Sequence, residues 1–353
     1  MTTSPVSRRT LLRGTAALGV GLIPAFATAG SADALGVDSR LAVLWSANRA
    51  DLGAPLGAAT KIPGGIRQHF QGGTMYHSTA AGPSVVRGKL RQVFWTGGGT
   101  PSMGFPLLVE TKSPDYSSCY TQWSVRRGSQ VWWSKSHGGF AIPADRTIRL
   151  PGAANFRDAA GEGSGLKVGT KRMRRRLLFR CSQTGGLPDF SRFVLQTLWI
   201  EKVISLGGSD ATIPGITVVK TPVRNLRAVT DAEKLAMYRN YVTSAENRLA
   251  IGRAITLVAN AAGPVLLHCE AGRDRTGWVT ALIHTSLGTS SSRVLSEYLK
   301  SNSYAGSTVV KAAYLQAALS QAKASYGSVN KYLTTGCGVS SATLKKLKTR
   351  LLA

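Results

Sequence analysis

One segment constrains this chain more than any other: Pro264-Val265-Leu266-Leu267-His268-Cys269-Glu270-Ala271-Gly272-Arg273-Asp274-Arg275-Thr276-Gly277. A β-favouring apolar run ends in a cysteine, and a helical pattern starts at Thr276 and continues to about residue 287. Strand, tight loop and helix in that order form the building block of a parallel α/β sheet. A loop at such a junction turns its backbone N–H groups inward and cradles an anion. The helix dipole and Arg275 both favour the thiolate of Cys269 over the thiol. Arg275 can hold two phosphate oxygens at once, which suits a trigonal-bipyramidal transition state. Gly272 allows a backbone conformation that a side chain would obstruct. Together these parts predict a cysteine nucleophile that attacks a phosphate ester and passes through a phosphocysteine. Glu270, Ala271, Gly272 and Arg273 would form the phosphate-binding loop.

The neighbours of Cys269 have separate tasks. Successive strand side chains face opposite ways, so His268 is poorly placed as a base for Cys269 and is expected to hydrogen bond the loop from behind. Thr276 can donate its hydroxyl to the thiolate and help it leave in the second step. Asp274 lies inside the loop and has two readings: general acid for the leaving oxygen, or salt-bridge partner of a nearby arginine. Asp210 is the nearest acid on a separate loop and is not assigned the acid role. The chemistry calls for no cofactor. The four cysteines, Cys119, Cys181, Cys269 and Cys337, lack metal-ligand spacing.

From about residue 146 to 353 the pattern is α/β. Short apolar runs at 177–180, 202–206, 216–219 and 265–268 predict strands. Thr230 and Glu233 form a capping box that opens one helical stretch to about residue 261. Further helices are expected at 276–287 and 309–326, and Leu344, Leu347 and Leu351 lie on one face of a Lys-rich terminal helix. Strands alternating with helices predict a mostly parallel sheet covered on both faces.

The cysteine segment resembles the phosphatase loop of the tyrosine phosphatase superfamily. In detail it is similar to the bacterial atypical branch, His-Cys-x-Ala-Gly-Lys-Asp-Arg-Thr-Gly, which includes dual-specificity and phosphoinositide phosphatases. The resemblance extends to Asn155-Phe156-Arg157-Asp158, to Arg180, to Glu297-Tyr298-Leu299-Lys300-Ser301-Asn302, and to Tyr326-Gly327-Ser328-Val329 with Tyr332-Leu333. It implies hydrolysis of a phosphorylated protein or phospholipid. Two departures stand out. Arg273 replaces the branch's Lys, said to contribute to lipid preference. Ser205-Leu206-Gly207-Gly208 stands where the family often has Asp-Leu-Arg. Two other classes compete: sulfur transfer on a cysteine loop, disfavoured by the Cys-to-Arg spacing and the flanking matches, and an inactive phosphate-binding or wall-anchoring protein.

Residues 35–145 differ in character. They are rich in Gly and hold five of the seven tryptophans, with little helical periodicity. Leu52-Gly53-Ala54-Pro55 recurs 51 residues later as Met103-Gly104-Phe105-Pro106. Phe70-Gln71-Gly72-Gly73-Thr74-Met75-Tyr76-His77-Ser78 is echoed between Trp123 and Ser134. A period near 50 suggests stacked small β-rich units. The motif resembles the LGFP repeats of exported actinobacterial proteins, which implies association with cell-wall polysaccharide. Most of the aromatics are expected in the core, with a minority free to stack on sugar rings.

Residues 1–34 read as an export signal. Arg8-Arg9 precede an uncharged apolar run from Thr15 to Phe26, followed by Ala-x-Ala sites, an order that suits the twin-arginine route. No span of the mature chain is long enough to cross a membrane. Export makes a nucleic-acid partner for Lys171-Arg172-Met173-Arg174-Arg175-Arg176 unattractive, and a solvated loop is expected there. The chain has 44 Lys and Arg against 17 Asp and Glu, a formal charge of +27. Its partners should therefore be anionic.

Overall fold

The repeated Leu-Gly-x-Pro core occupies the same place twice. In each copy a short helix ends on the motif, a glycine at positive φ turns the chain (Gly53 at 67°, Gly104 at 77°), and a four-stranded antiparallel meander follows. The first copy runs α1 (Ala42–Ala47), α2 (Arg49–Leu52), β1 (Thr60–Ile62), β2 (Gly65–His69), β3 (Gly73–Ser78) and β4 (Gly82–Arg87). The second runs α3 (Gly88–Thr96), α4 (Gly99–Met103), β5 (Pro106–Ser113), β6 (Tyr116–Ser124), β7 (Gln130–Ser134) and β8 (Gly138–Ile142). Leu52 and Met103, the first residues of the two motifs, are both buried. The β-rich units expected in this half are present, with short helices between them. The 3.6-residue period of such short helices hardly registers in sequence.

These descriptions come from a computed structural model covering residues 36–353 except 114–115, 125–128, 135–137, 144–147 and 149, with residues 107–113, 116–124 and 134 described by their strands alone. The export-signal reading of residues 1–34 and the side chains of Cys119 and Trp123 lie outside the described residues. Near residue 146 the chain divides into two compact units.

The second unit is built on a five-stranded sheet. Its strands are β9 (Arg157–Asp158), β12 (Leu178–Cys181), β13 (Lys202–Ser205), β14 (Thr217–Lys220) and β15 (Val265–His268), in the order β14-β13-β15-β12-β9. A small hairpin, β10 (Lys167–Val168) and β11 (Lys171–Arg172), precedes β12. The pairings β14·β13, β13·β15 and β15·β12 are parallel, and β12·β9 is antiparallel. Every residue of β15 is buried, as expected of the central strand of a parallel sheet. The helices are α5 (Asp189–Thr197), α6 (Asp231–Thr243), α7 (Ala245–Asn260), α8 (Asp274–Leu287), α9 (Ser291–Ala305), α10 (Ala312–Tyr326), α11 (Val329–Lys331) and α12 (Ser341–Leu351). One core gathers Leu267, Val265 and Ile204 of the sheet with Trp278, Ile255, Tyr238 and Leu347 of the helices.

Two expectations are corrected. The stretch from Thr230 to residue 261 is two helices, because Ser244 adopts an extended conformation and its hydroxyl accepts from Asn247 N to start the second. The basic run at 171–176 is fastened rather than freely solvated. Arg172 and Arg174 donate backbone N–H groups to the carbonyls of Ala353 and Leu351, Met173 is buried, and Arg175 donates to the Gly161 carbonyl. Among the described residues no helix is long and apolar enough to cross a membrane.

Candidate active site

Cys269 stands one residue past the end of β15, almost wholly buried, where the chain leaves the sheet. Five residues separate it from Arg275, which lies in the first turn of α8. No described side chain caps the start of that helix, whereas a capping box opens α6. The first N–H groups of α8 are therefore left for a ligand. The loop between strand and helix carries Glu270, Ala271, Gly272 and Arg273, the residues expected to bind phosphate.

Gly272 explains how the turn closes. Its φ is 64°, and a Cβ there would run into the backbone carbonyl of Cys181 at the end of β12. Its own carbonyl oxygen accepts two hydrogen bonds, from Arg180 Nη2 at 2.8 Å and Asn155 Nδ2 at 2.8 Å. Behind these donors is a buried ionic cluster. Glu297 of α9 accepts from Arg157 Nε at 2.6 Å and pairs with Arg180 Nη1 at 3.1 Å. Burial pushes the Glu297 carboxyl up, but Arg157 and Arg180 outweigh it and hold the group at about 2. Burial brings Arg180 down to about 10. The sequence marked Asn155, Arg157, Arg180 and Glu297 as family matches without indicating what they do. Asn155 and Arg180 bond the loop after Cys269 directly, and Arg157 and Glu297 bond those two residues from behind.

The remaining site residues fall around this loop. The guanidinium of Arg275 donates to the carbonyls of Leu206 at 3.3 Å and Val223 at 3.4 Å, and lies 3.4 Å from the exposed Glu270 carboxylate. Asp274 is buried. It accepts from Tyr238 Oη at 3.0 Å and pairs with Arg273 at 3.2 Å and Lys234 at 3.7 Å, so the salt-bridge reading is realised in the geometry. Thr276 Oγ1 is buried with no hydrogen-bond partner among the described residues. His268 is fully buried, with Nδ1 3.4 Å from the Cys269 carbonyl and Nε2 2.8 Å from Asp210 Oδ1. Asp210 thus sits against the histidine. The Asp210 contact was not legible in the sequence, since the two residues are far apart in the chain and no spacing rule joins them.

Cys181, Cys269 and Cys337 are buried free thiols. Burial pushes the Cys181 thiol well up, and its Sγ donates to the Ser182 carbonyl. Cys337 is pushed up to about 11 by burial and lies against Gly252 of α7. No group of His, Cys, Asp and Glu among the described residues could hold a metal.

In the first unit, Trp45 and Trp132 are buried and Trp95 is 41% exposed. Arg67 stands 5.1 Å from the Trp95 ring centroid, and the His69 ring is 5.9 Å away. Arg67 and His69 alternate on one face of β2, and Arg91 lies one turn before Trp95 on α3.

A buried parallel strand here leads through a short loop carrying a cysteine into a helix with an arginine in its first turn, the layout of a phosphatase. The chain belongs to the tyrosine phosphatase family, whose model matches residues 148–353, and the LGFP repeat model matches residues 52–100. A similar protein is the triple specificity protein phosphatase PtpB of Mycobacterium tuberculosis, 28% identical over 279 residues, covering 58% of this chain and 98% of PtpB. Among solved structures, TpbA of P. aeruginosa is 24% identical and matches 47% of this chain and 89% of its own, with a TM-score of 0.29. The core catalytic domain of the PP-IP phosphatase SIW14 from S. cerevisiae is 16% identical and matches 39% of this chain and 77% of its own, with a TM-score of 0.28.

Proposed function

We propose that this protein is an exported phosphatase that hydrolyses phosphate monoesters through a phosphocysteine, with phosphotyrosine as substrate and phosphoserine, phosphothreonine or phosphoinositide as further ones. The observation that carries this reading is Cys269 at the end of β15, facing the uncapped N-terminus of α8 with Arg275 in its first turn. In the first step the Cys269 sulfur forms a bond to phosphorus as the bond to the ester oxygen breaks. Arg275 and the N–H groups of residues 270–275 take up the charge on the equatorial oxygens. Asp274 protonates the leaving oxygen and then, as its conjugate base, takes a proton from the water that displaces phosphate from Cys269. Thr276 donates its unengaged hydroxyl to the departing thiolate. The triple specificity in the name of PtpB supports the broad substrate range. Arg273 in place of the branch's lysine weighs against a strong lipid preference.

Residues 1–34 act as a twin-arginine signal, and residues 35–145 associate the enzyme with anionic wall polysaccharide. Trp95 offers the sugar-facing ring, with Arg67 and Arg91 beside it for acidic substituents. The deciding experiment is phosphate release under reducing conditions by the chain from residue 35, from a phosphotyrosine peptide and from a phosphoinositide. Turnover abolished in Cys269→Ser, with substrate binding kept, is the expected result. Absence of release by wild type from both substrates would move the assignment to an anchoring or phosphate-binding protein.

A further inference from the structure

We infer that Tyr238 and Tyr298 are positioning residues for the reaction: their hydroxyls form a one-way hydrogen-bond chain that pins one oxygen of Asp274, so that the other, Oδ2, is the one that protonates the leaving oxygen. This rests on the reading of Asp274 as the general acid.

Proton counting sets the direction of the chain. Tyr238 Oη lies 3.0 Å from Asp274 Oδ1 and 2.6 Å from Tyr298 Oη. A phenol carries one proton. If Tyr238 gave its proton to Tyr298, the Tyr298 proton would have no acceptor among the described residues, in a fully buried position. The arrangement that satisfies every group runs from Tyr298 to Tyr238 to Asp274. Burial is the main influence pushing both phenols well above their ordinary range, so each keeps the proton it donates.

Asp274 needs this pin. The last torsion of an aspartate is broad and roughly two-fold, so the carboxyl turns easily unless an oxygen is held. The partners of Oδ2 hold it poorly. Arg273 and Lys234 are long, partly exposed side chains at 3.2 Å and 3.7 Å. Oδ1 instead faces rings that are wholly buried. Tyr238 of α6 and Tyr298 of α9 meet edge to face, with centroids 6.3 Å apart and planes at 86°. Tyr241 and Tyr314 flank Tyr238, with centroids at 5.2 Å and 5.8 Å. Gly277, one turn beyond Asp274 on α8, lets Tyr298 approach, since a Cβ there would come within 3.0 Å of its ring. The two tyrosines thus join α6 and α9 to the first turn of α8. With Oδ1 committed inward, Oδ2 is the oxygen left to deliver a proton as the ester bond breaks.

The test is the dependence of kcat/KM on leaving-group basicity, measured with the full mature chain on a series of aryl phosphates. Tyr238→Phe keeps the ring and removes the donor. Its expected effect is a loss of about tenfold on the most basic phenols and less than about twofold on the most acidic, a steeper slope than wild type. Tyr298→Phe should steepen the slope less, because Tyr238 keeps its proton for Asp274. Tyr241→Phe removes another buried tyrosine hydroxyl, one that donates to Asn225, and should keep the wild-type slope. The slope compares substrates on one enzyme, so partial unfolding does not move it. Added to Asp274→Asn, Tyr238→Phe should steepen the slope no further, because it acts through that carboxyl. A wild-type slope in Tyr238→Phe beside a steep one in Asp274→Asn would overturn the positioning role and leave Asp274 as the acid. Wild-type slopes in both would overturn the acid reading and the positioning role with it.

Discussion

Arg180 reaches across from β12 to donate its Nη2 hydrogen to the Gly272 carbonyl at 2.8 Å. The same guanidinium pairs with Glu297 through Nη1. One side chain thereby ties the loop carrying Cys269 to α9, and its planar fork is what lets it serve both partners. Arg180→Lys keeps the charge but cannot bridge both positions. We expect kcat to fall on the order of 100-fold, because a small displacement of the loop misaligns Cys269. KM should change far less. Steady-state kinetics on a phosphotyrosine peptide would check this, and an unchanged kcat would show that Asn155 alone holds the carbonyl.

The sign of the Glu297 contribution to stability follows from its depressed ionisation. Its folded value of about 2 lies below its ordinary 4.5, so the stabilisation is fully present above about pH 4.5 and is lost as the pH falls toward 2. Glu297→Gln should cost about 3–5 kcal/mol at neutral pH, since it leaves Arg157 and Arg180 buried without a counter-charge. It should also flatten the acid limb of the stability profile. Asp158 works with the opposite sign. Burial raises it to about 6 from 3.8, so its contribution falls as the pH rises through that window. Denaturant melts of wild type and Glu297→Gln between pH 2 and pH 7 would separate the two.

Gly272→Ala should be more damaging than its size suggests. The position combines positive φ with a collision against the Cys181 carbonyl, and backbone cannot move aside as a side chain can. The strain alone should cost about 1–3 kcal/mol. Phosphate release should drop to near the level of Cys269→Ser while the far-ultraviolet circular dichroism stays native. An active Gly272→Ala would mean that the loop tolerates a different closure.

The strand–loop–helix layout around Cys269 was legible in sequence because its parts are contiguous: strand, cysteine, glycine, arginine and helix follow within one segment. The sheet was legible for the same reason, since β12, β13, β14 and β15 each announce themselves as apolar runs. What was not legible joins distant residues. Asp210 meets His268, and Asn155 meets Gly272, only once the parallel register is set, and register is not written in any local pattern. The break at Ser244 was missed because serine is tolerated inside a helix, and only its extended backbone shows that it caps a new one. The helices of the first unit were missed because they are too short to display a period.

Asp274 separates chemistry from scaffold through its leaving-group dependence. Its carboxylate is engaged by Tyr238, Arg273 and Lys234, so replacing it will disturb structure as well as any proton transfer. A merely structural loss lowers the rate on all substrates alike. Loss of a general acid weighs most on substrates whose leaving oxygen is basic, by about 100-fold or more, and little on aryl phosphates with acidic phenols. Asp274→Asn assayed on a series of aryl phosphates gives the slope directly. A slope equal to wild type would leave Asp274 as a salt-bridge residue and return the acid role to an unassigned group.

Trp95 provides a test of wall association that leaves the phosphatase site untouched. It is the exposed tryptophan among the described residues of the first unit, and Arg67 lies over its ring with a buried Nε that has no hydrogen-bond partner among those residues. An acidic sugar could lay its apolar face on the indole and present its anion to Arg67 and Arg91. Trp95→Ala should weaken cosedimentation of the full mature chain with isolated cell wall by about tenfold, the equivalent of one aromatic contact. Arg67→Ala should weaken it less at high salt than at low, because screening already removes most of the charge term. Phosphate release from a soluble substrate should be unchanged in both. Retention equal to wild type in Trp95→Ala at low and high salt would show that the wall, if it is bound, is bound through a different face of the repeats.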